Sequence, residues 1–183
     1  TSRWSVALAA REPRVLAAVA IHPNEAPLLA QAGQLEHAME VLDSLAAHPR
    51  VVAVGETGLD FFRTEPGLQE LQKQAFRDHI VLAKKHDLAL QIHDRDAHEA
   101  VVEVLLDVGA PKKTVFHCFS GDAALAQTLS EHGWYASFSG TVTFKNSQGL
   151  REALAVMPKS HILVETDTPF LTPDPHRGKP NSP

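Results

Sequence analysis

Apolar positions along this chain fall into short unbroken runs, separated by longer stretches with helical spacing. Val15 to Ile21, Val51 to Val54, Leu88 to Ile92, Thr114 to Phe116, Trp134 to Phe138 and His161 to Val164 are rich in small, β-branched or aromatic residues. Runs of this kind predict strands buried on both faces. Between them, Pro27 to Ala47 carries a helical stripe (Leu28, Ala32, Leu35, Met39, Leu42, Leu45), and Gly67 to His86 carries another (Leu71, Phe76, Ile80, Ala83). Val101 to Val108, Gly121 to His132 and Gln148 to Met157 read the same way, and Ser2 to Arg11 predicts an amphipathic helix. Pro23, Pro49, Gly133 and Pro158 punctuate the ends, and Asp96 with Glu99 has capping-box spacing. Strand and helix alternate six times, which predicts a parallel sheet with helices outside it. A doubly wound sheet and most of a (β/α)8 barrel both satisfy this pattern.

The polar residues at the ends of these runs change the picture. The run from Val51 stops on Gly55 and places Glu56 just beyond it, with Gly58 and Asp60 expected in a tight turn. The other runs end in His22, His93, His117, Ser139 with Thr141, and Asp167. Parallel strands gather such residues at one mouth, and imidazole with carboxylate is the donor set of divalent metals. Any one of these residues has an ordinary structural explanation, but three histidines and two acids at equivalent strand ends point to a metal site. His37, His79, His86, His98 and His132 fall in helical runs and are expected to be solvated. Cys118 is expected to point toward the helices as a small buried residue.

Composition adds limits. The chain has 183 residues, 44% of them hydrophobic, enough for one domain with a core. Its net charge of -5 argues against a generally basic nucleic-acid-binding face, but not against a phosphate substrate held through bound cations. A single cysteine excludes an internal disulfide and fits a cytoplasmic location. No apolar run approaches a membrane span. The chain opens with a helix already under way and stops in loop chemistry, so residues 1–183 are read as one domain truncated at both ends.

Four motifs follow one another along the chain: Gly55-Glu56-Thr57-Gly58-Leu59-Asp60, Ile92-His93-Asp94-Arg95-Asp96-Ala97, Phe116-His117-Cys118-Phe119 and Val164-Glu165-Thr166-Asp167-Thr168-Pro169. Phe138-Ser139-Gly140 and Pro175-His176-Arg177-Gly178-Lys179 fit the same pattern. Together they resemble the TatD family of metal-dependent DNases, within the amidohydrolase superfamily. The resemblance implies a TIM-type (β/α)8 barrel, of which these strands are the third to the eighth. It implies two divalent metal ions (zinc, magnesium or manganese) with Glu56, His93, His117 and Asp167 as ligands. Glu56 would bridge the two metals, and Glu56 and Asp167 would be the catalytic carboxylates. His22, Asp60, Arg177 and Lys179 would contact the substrate, DNA. A monomer is expected. The His-x-His pair with which family members begin does not occur here, so these residues alone are not expected to be a self-sufficient enzyme. The alternatives are another hydrolase on the same barrel, acting on a lactone, ester or amide, and a non-catalytic barrel-derived binding protein.

Overall fold

In the computed structural model, which describes all 183 residues, every apolar run forms a strand, and each helical stripe is helical, the one over Pro27 to Ala47 as two helices. The order is α1 (Ser2–Arg11), β1 (Ala17–Val19), α2 (Ala26–Gln31), α3 (Leu35–Ala46), β2 (Val51–Asp60), α4 (Gln69–Lys85), β3 (Ala89–Arg95), α5 (His98–Val108), β4 (Thr114–Phe116), α6 (Ala123–His132), β5 (Tyr135–Phe138), α7 (Gln148–Val156) and β6 (Ile162–Val164). The chain forms two compact units, residues 1–114 and 115–183. In the first, β2 pairs in parallel with β1 and with β3. In the second, β5 pairs in parallel with β4 and with β6. No helix is long and apolar enough to cross a membrane.

The core of the first unit explains the strand composition. Val19, Val54, Leu59, Leu90 and Ile92 are fully buried, and α4 covers them with Phe76, Ile80 and Ala83. Burying each large side chain is worth about 1.5–3 kcal/mol. Helix α4 also buries two polar residues, Gln72 and His79. In the second unit Phe116, Leu129, Ala136 and Ala153 are buried. Helix α6 starts where the Asp122 carboxylate accepts the Leu125 N–H at 3.0 Å, and it stops at Gly133 in the left-handed region.

Four local expectations are corrected. The single helix over Pro27 to Ala47 is two helices, broken at Gly33, whose φ of 66° no helix interior accommodates. The tight turn at Gly58 and Asp60 is instead the second half of β2, which runs on to Asp60 beside β3. The Asp96–Glu99 capping box does not form: Ala97 occupies the N-cap with no side-chain cap, and Asp96 has a φ of 53°. His79 is wholly buried rather than solvated, because it lies on the apolar face of α4.

Candidate metal centre

Two glycines set the geometry around Glu56. Pairing between β2 and β3 is irregular between Val54 and Thr57, so Gly55 and Glu56 sit in a bulge. A Cβ on Gly55 would run into the Gln91 side chain, and one on Gly58 into the His93 carbonyl. Gly58 also has a φ of 127°, a conformation side-chain-bearing residues rarely adopt. The absent side chains let β2 close on β3, and Glu56 Oε1 comes to 2.6 Å from His93 Nδ1. From the end of β1, His22 Nε2 lies 3.8 Å from the same carboxylate oxygen. The His22 and His93 rings meet edge to face at 4.9 Å. One donor atom from each of His22, Glu56 and His93 falls within a 4.8 Å set.

Asp60 sits on the other side of His93, its Oδ2 3.1 Å from Nε2. It is buried, and it also accepts from Asn24 Nδ2 at 3.0 Å and from the Arg63 N–H at 2.9 Å. Burial pushes the Asp60 carboxyl up, but these donors and the nearby His93 outweigh it and hold the group below its ordinary range. Burial pulls His93 down, and the hydrogen bonds and charges of Glu56 and Asp60 more than reverse this, so it is raised. His22 is lowered, by burial first and then by His93, against the pull of Glu56 and Asp60. The Asn24 N–H donates to His22 Nδ1 at 3.2 Å, so the proton of a neutral His22 resides on Nε2.

The second unit assembles its own set. His117, just past β4, has Nδ1 2.9 Å from Glu165 Oε2 and Nε2 3.7 Å from Asp167 Oδ1. These three residues also offer donor atoms within 4.8 Å of one another. Glu165 Oε1 is buried with no hydrogen-bond partner. An imidazole with two carboxylates, one of them with an oxygen that no protein donor takes, is a donor set that fits a divalent metal. Ser139 Oγ lies 2.9 Å from Thr141 Oγ1 and 3.4 Å from Cys118 Sγ. Strand alternation does not govern Cys118, because β4 has ended and its φ is 43°; the thiol is half-buried and meets Ser139.

The basic loop makes contacts of its own within the second unit. Arg177 is exposed, with its guanidinium 4.1 Å over the Phe144 ring. Arg177 and Lys179 line a cleft of about 600 Å³ together with Phe144, Phe170 and Leu171.

Sequence reasoning missed Glu165 as a participant, although its spacing of two from Asp167 puts both acids on one side of an extended segment. It also missed Asn24 and Gln72. Gln72 Oε1 accepts the Asp60 N–H at 3.0 Å and Gln72 Nε2 donates to the Pro23 carbonyl at 2.9 Å. No local motif marks either residue.

Comparison with known proteins gives the family and the fold. The family profile described as TatD related DNase matches residues 1–183. The uncharacterised metal-dependent hydrolase TatD of Mycobacterium tuberculosis is 47% identical over the whole chain and 69% of its own length. YabD of Bacillus subtilis, likewise an uncharacterised metal-dependent hydrolase, is 41% identical over 92% of the chain and 64% of its own length. YcfH of Escherichia coli is 42% identical over 79% of the chain and 55% of its own length. Among solved structures, the TatD homologue YjjV of Escherichia coli superposes on 99% of the chain and 68% of its own, with a TM-score of 0.86 and 30% identity. The α/β fold with parallel strands is therefore part of a TIM-type (β/α) barrel, and the chain belongs to the TatD-related DNase family of metal-dependent hydrolases.

Proposed function

We propose that this chain carries most of the active site of a deoxyribonuclease that hydrolyses phosphodiester bonds with two divalent cations, and that it works as a cytoplasmic monomer. The observation that supports the reading best is the repeated arrangement in which one imidazole stands between two carboxylates. His93 stands between Glu56 and Asp60, and His117 between Glu165 and Asp167. Glu56, His93, His117 and Asp167 would hold the cations. When bound, divalent cations lower the pKa of water toward neutrality and offset charge developing on phosphate.

The remaining roles belong to the chain's own side chains. Asp60 accepts the His93 Nε2–H and leaves Nδ1 facing Glu56; Glu165 accepts the His117 Nδ1–H and leaves Nε2 facing Asp167. Asp167 is half-buried and accepts a proton from the attacking water. His22 donates from Nε2, because Nδ1 is taken by the Asn24 N–H; this makes it a hydrogen-bond donor to a phosphate oxygen rather than a metal ligand. Arg177 and Lys179 supply charge-assisted contacts to a DNA phosphate. Phosphate contacts carry no sequence information, so little sequence preference is expected.

The experiment is nuclease assay with added magnesium, manganese or zinc, with and without EDTA, and with lactone and ester substrates alongside DNA. DNA cleavage that requires the metal is the expected result. Cleavage that survives full chelation, or turnover confined to lactones or esters, would refute the reading.

A further inference from the structure

Helix α4 is tied by two side chains to both segments that leave the strand ends carrying His22 and Asp60. Gln72 and His79 lie two turns apart on its buried face, and neither is exposed at all. His79 Nε2 accepts the Ile21 N–H at 3.0 Å, and His79 Nδ1 donates to the Ala75 carbonyl at 2.6 Å. Ile21 is the residue immediately before His22. Gln72 Nε2 donates to the carbonyl of Pro23, the residue immediately after it, and to Thr64 Oγ1. The His22 segment is thus held from both sides. Gln72 Oε1 accepts the Asp60 N–H at 3.0 Å, so the same amide grips the end of β2, whose carboxylate holds His93.

Both side chains spend their polar atoms on backbone groups around His22 and Asp60, groups that an apolar residue would leave unsatisfied, and apolar residues fill the rest of that face. Each satisfies a backbone group beside His22, Gln72 the Asp60 N–H as well, and His79 stays neutral because burial pushes it down to about 4. A neutral ring with its proton on Nδ1 is the tautomer that accepts at Nε2.

We infer that Gln72 and His79 are positioning residues: a two-point brace on α4 that fixes His22 and Asp60, and through Asp60 the ring of His93. The inference rests on reading His22, Glu56, His93 and Asp60 as the site. It does not depend on what the substrate is.

The test compares wild type with Gln72→Met and His79→Leu, which delete the bonds at similar volume, and with His79→Gln, which restores an acceptor for the Ile21 N–H. Histidine ring nitrogens of the metal-free protein are read by long-range proton–nitrogen NMR, and cobalt(II) alone is titrated by its absorption spectrum. In wild type, His22 shows a proton on Nε2 and His79 a proton on Nδ1. In both deletion variants the melt stays cooperative and His22 loses its single tautomer; in Gln72→Met, which also releases the Asp60 that holds His93, cobalt affinity falls about 10–100-fold, the range for outer partners of metal ligands. His79→Gln restores the single His22 tautomer. Folded deletion variants with an unchanged His22 signature and unchanged cobalt affinity would overturn the inference. So would failure of His79→Gln to recover anything. If only one deletion variant folds, it carries the test. Unfolding of both assigns the pair to stability alone and also overturns it. No nucleic acid enters these measurements, so a wild type that binds cobalt but cleaves no DNA refutes the substrate reading and leaves the brace standing.

Discussion

His79 should make the protein lose stability in mild acid. The ring is wholly buried, its Nε2 occupied by the Ile21 N–H, with no carboxylate among its hydrogen-bond partners. Burial lowers it from the ordinary 6.5 to about 4, against a smaller opposing pull from the Ala75 carbonyl. The unfolded chain therefore takes up a proton near 6.5 that the folded chain refuses until about 4. The contribution is fully present above 6.5 and is lost as pH falls through this window. Each pH unit is worth about 1.4 kcal/mol, which gives about 3 kcal/mol in total and about 2 kcal/mol by pH 5.

Urea unfolding over a pH series from neutrality to mild acid measures this, with His79→Gln as the reference. The reference matters because other groups titrate in the same range, and His93, which is raised, contributes with the opposite sign. Glutamine at 79 keeps an acceptor for Ile21 and removes the proton. The wild type should lose about 2 kcal/mol more than His79→Gln between neutrality and pH 5, whatever the two stabilities are at neutrality. Parallel curves for the two proteins would show that His79 takes its proton in the folded state at its ordinary pKa, and the argument from burial would fail.

Other perturbations test other parts of the site. Glu56→Gln keeps the volume and removes the charge, so it should leave the fold intact while lowering turnover by about 100-fold or more and weakening metal binding in a titration; near-normal rates would remove Glu56 from its central place. Glu165→Gln should lower metal affinity by about 10–100-fold by calorimetry, because His117 Nδ1–H loses its carboxylate; unchanged affinity would leave Glu165 no role in orienting the ring. Arg177→Ala should weaken DNA binding several-fold in a fluorescence titration while leaving metal affinity unchanged. Gly58→Ala should cost at least about 1–3 kcal/mol in urea unfolding, because its φ is 127° and a Cβ would meet the His93 carbonyl; a neutral effect would mean that β2 and β3 do not approach as described.

The sequence showed what depends on periodicity and hid what depends on distance. The strands, and the helices apart from the split at Gly33, were legible because burial on both faces writes continuous apolar runs, and burial on one side writes helical stripes. Strand-end chemistry was legible for the same reason: in parallel strands the residue after the apolar run has a known place. The bulge at Gly55 and Glu56 was not legible, because the need for glycine comes from Gln91 and His93 on another strand. The break at Gly33 was passed over because the helical stripe continues on both sides of it. His79 was misjudged because a histidine in an amphipathic stripe reads as solvated unless its partners are known. Those partners are backbone groups 58 residues away at Ile21 and four residues away at Ala75.

The pairing of each imidazole with two acids explains why these runs end in doubled carboxylates. A ring nitrogen can hold a proton or a cation, and a carboxylate beside it favours both. With one acid alone, the ring could turn and present either nitrogen. A second acid on the far nitrogen removes that freedom: Asp60 takes the Nε2 side of His93 and Glu165 the Nδ1 side of His117. The opposite nitrogen is then left facing Glu56 in one case and Asp167 in the other. The two rings use opposite nitrogens, so the device is not a repeated local motif but the same electrostatic solution reached twice. Asp60 is buried beside the ring that it holds. Its carboxylate does its work through His93, and the donors from Asn24 and Arg63 keep it ionised for that purpose.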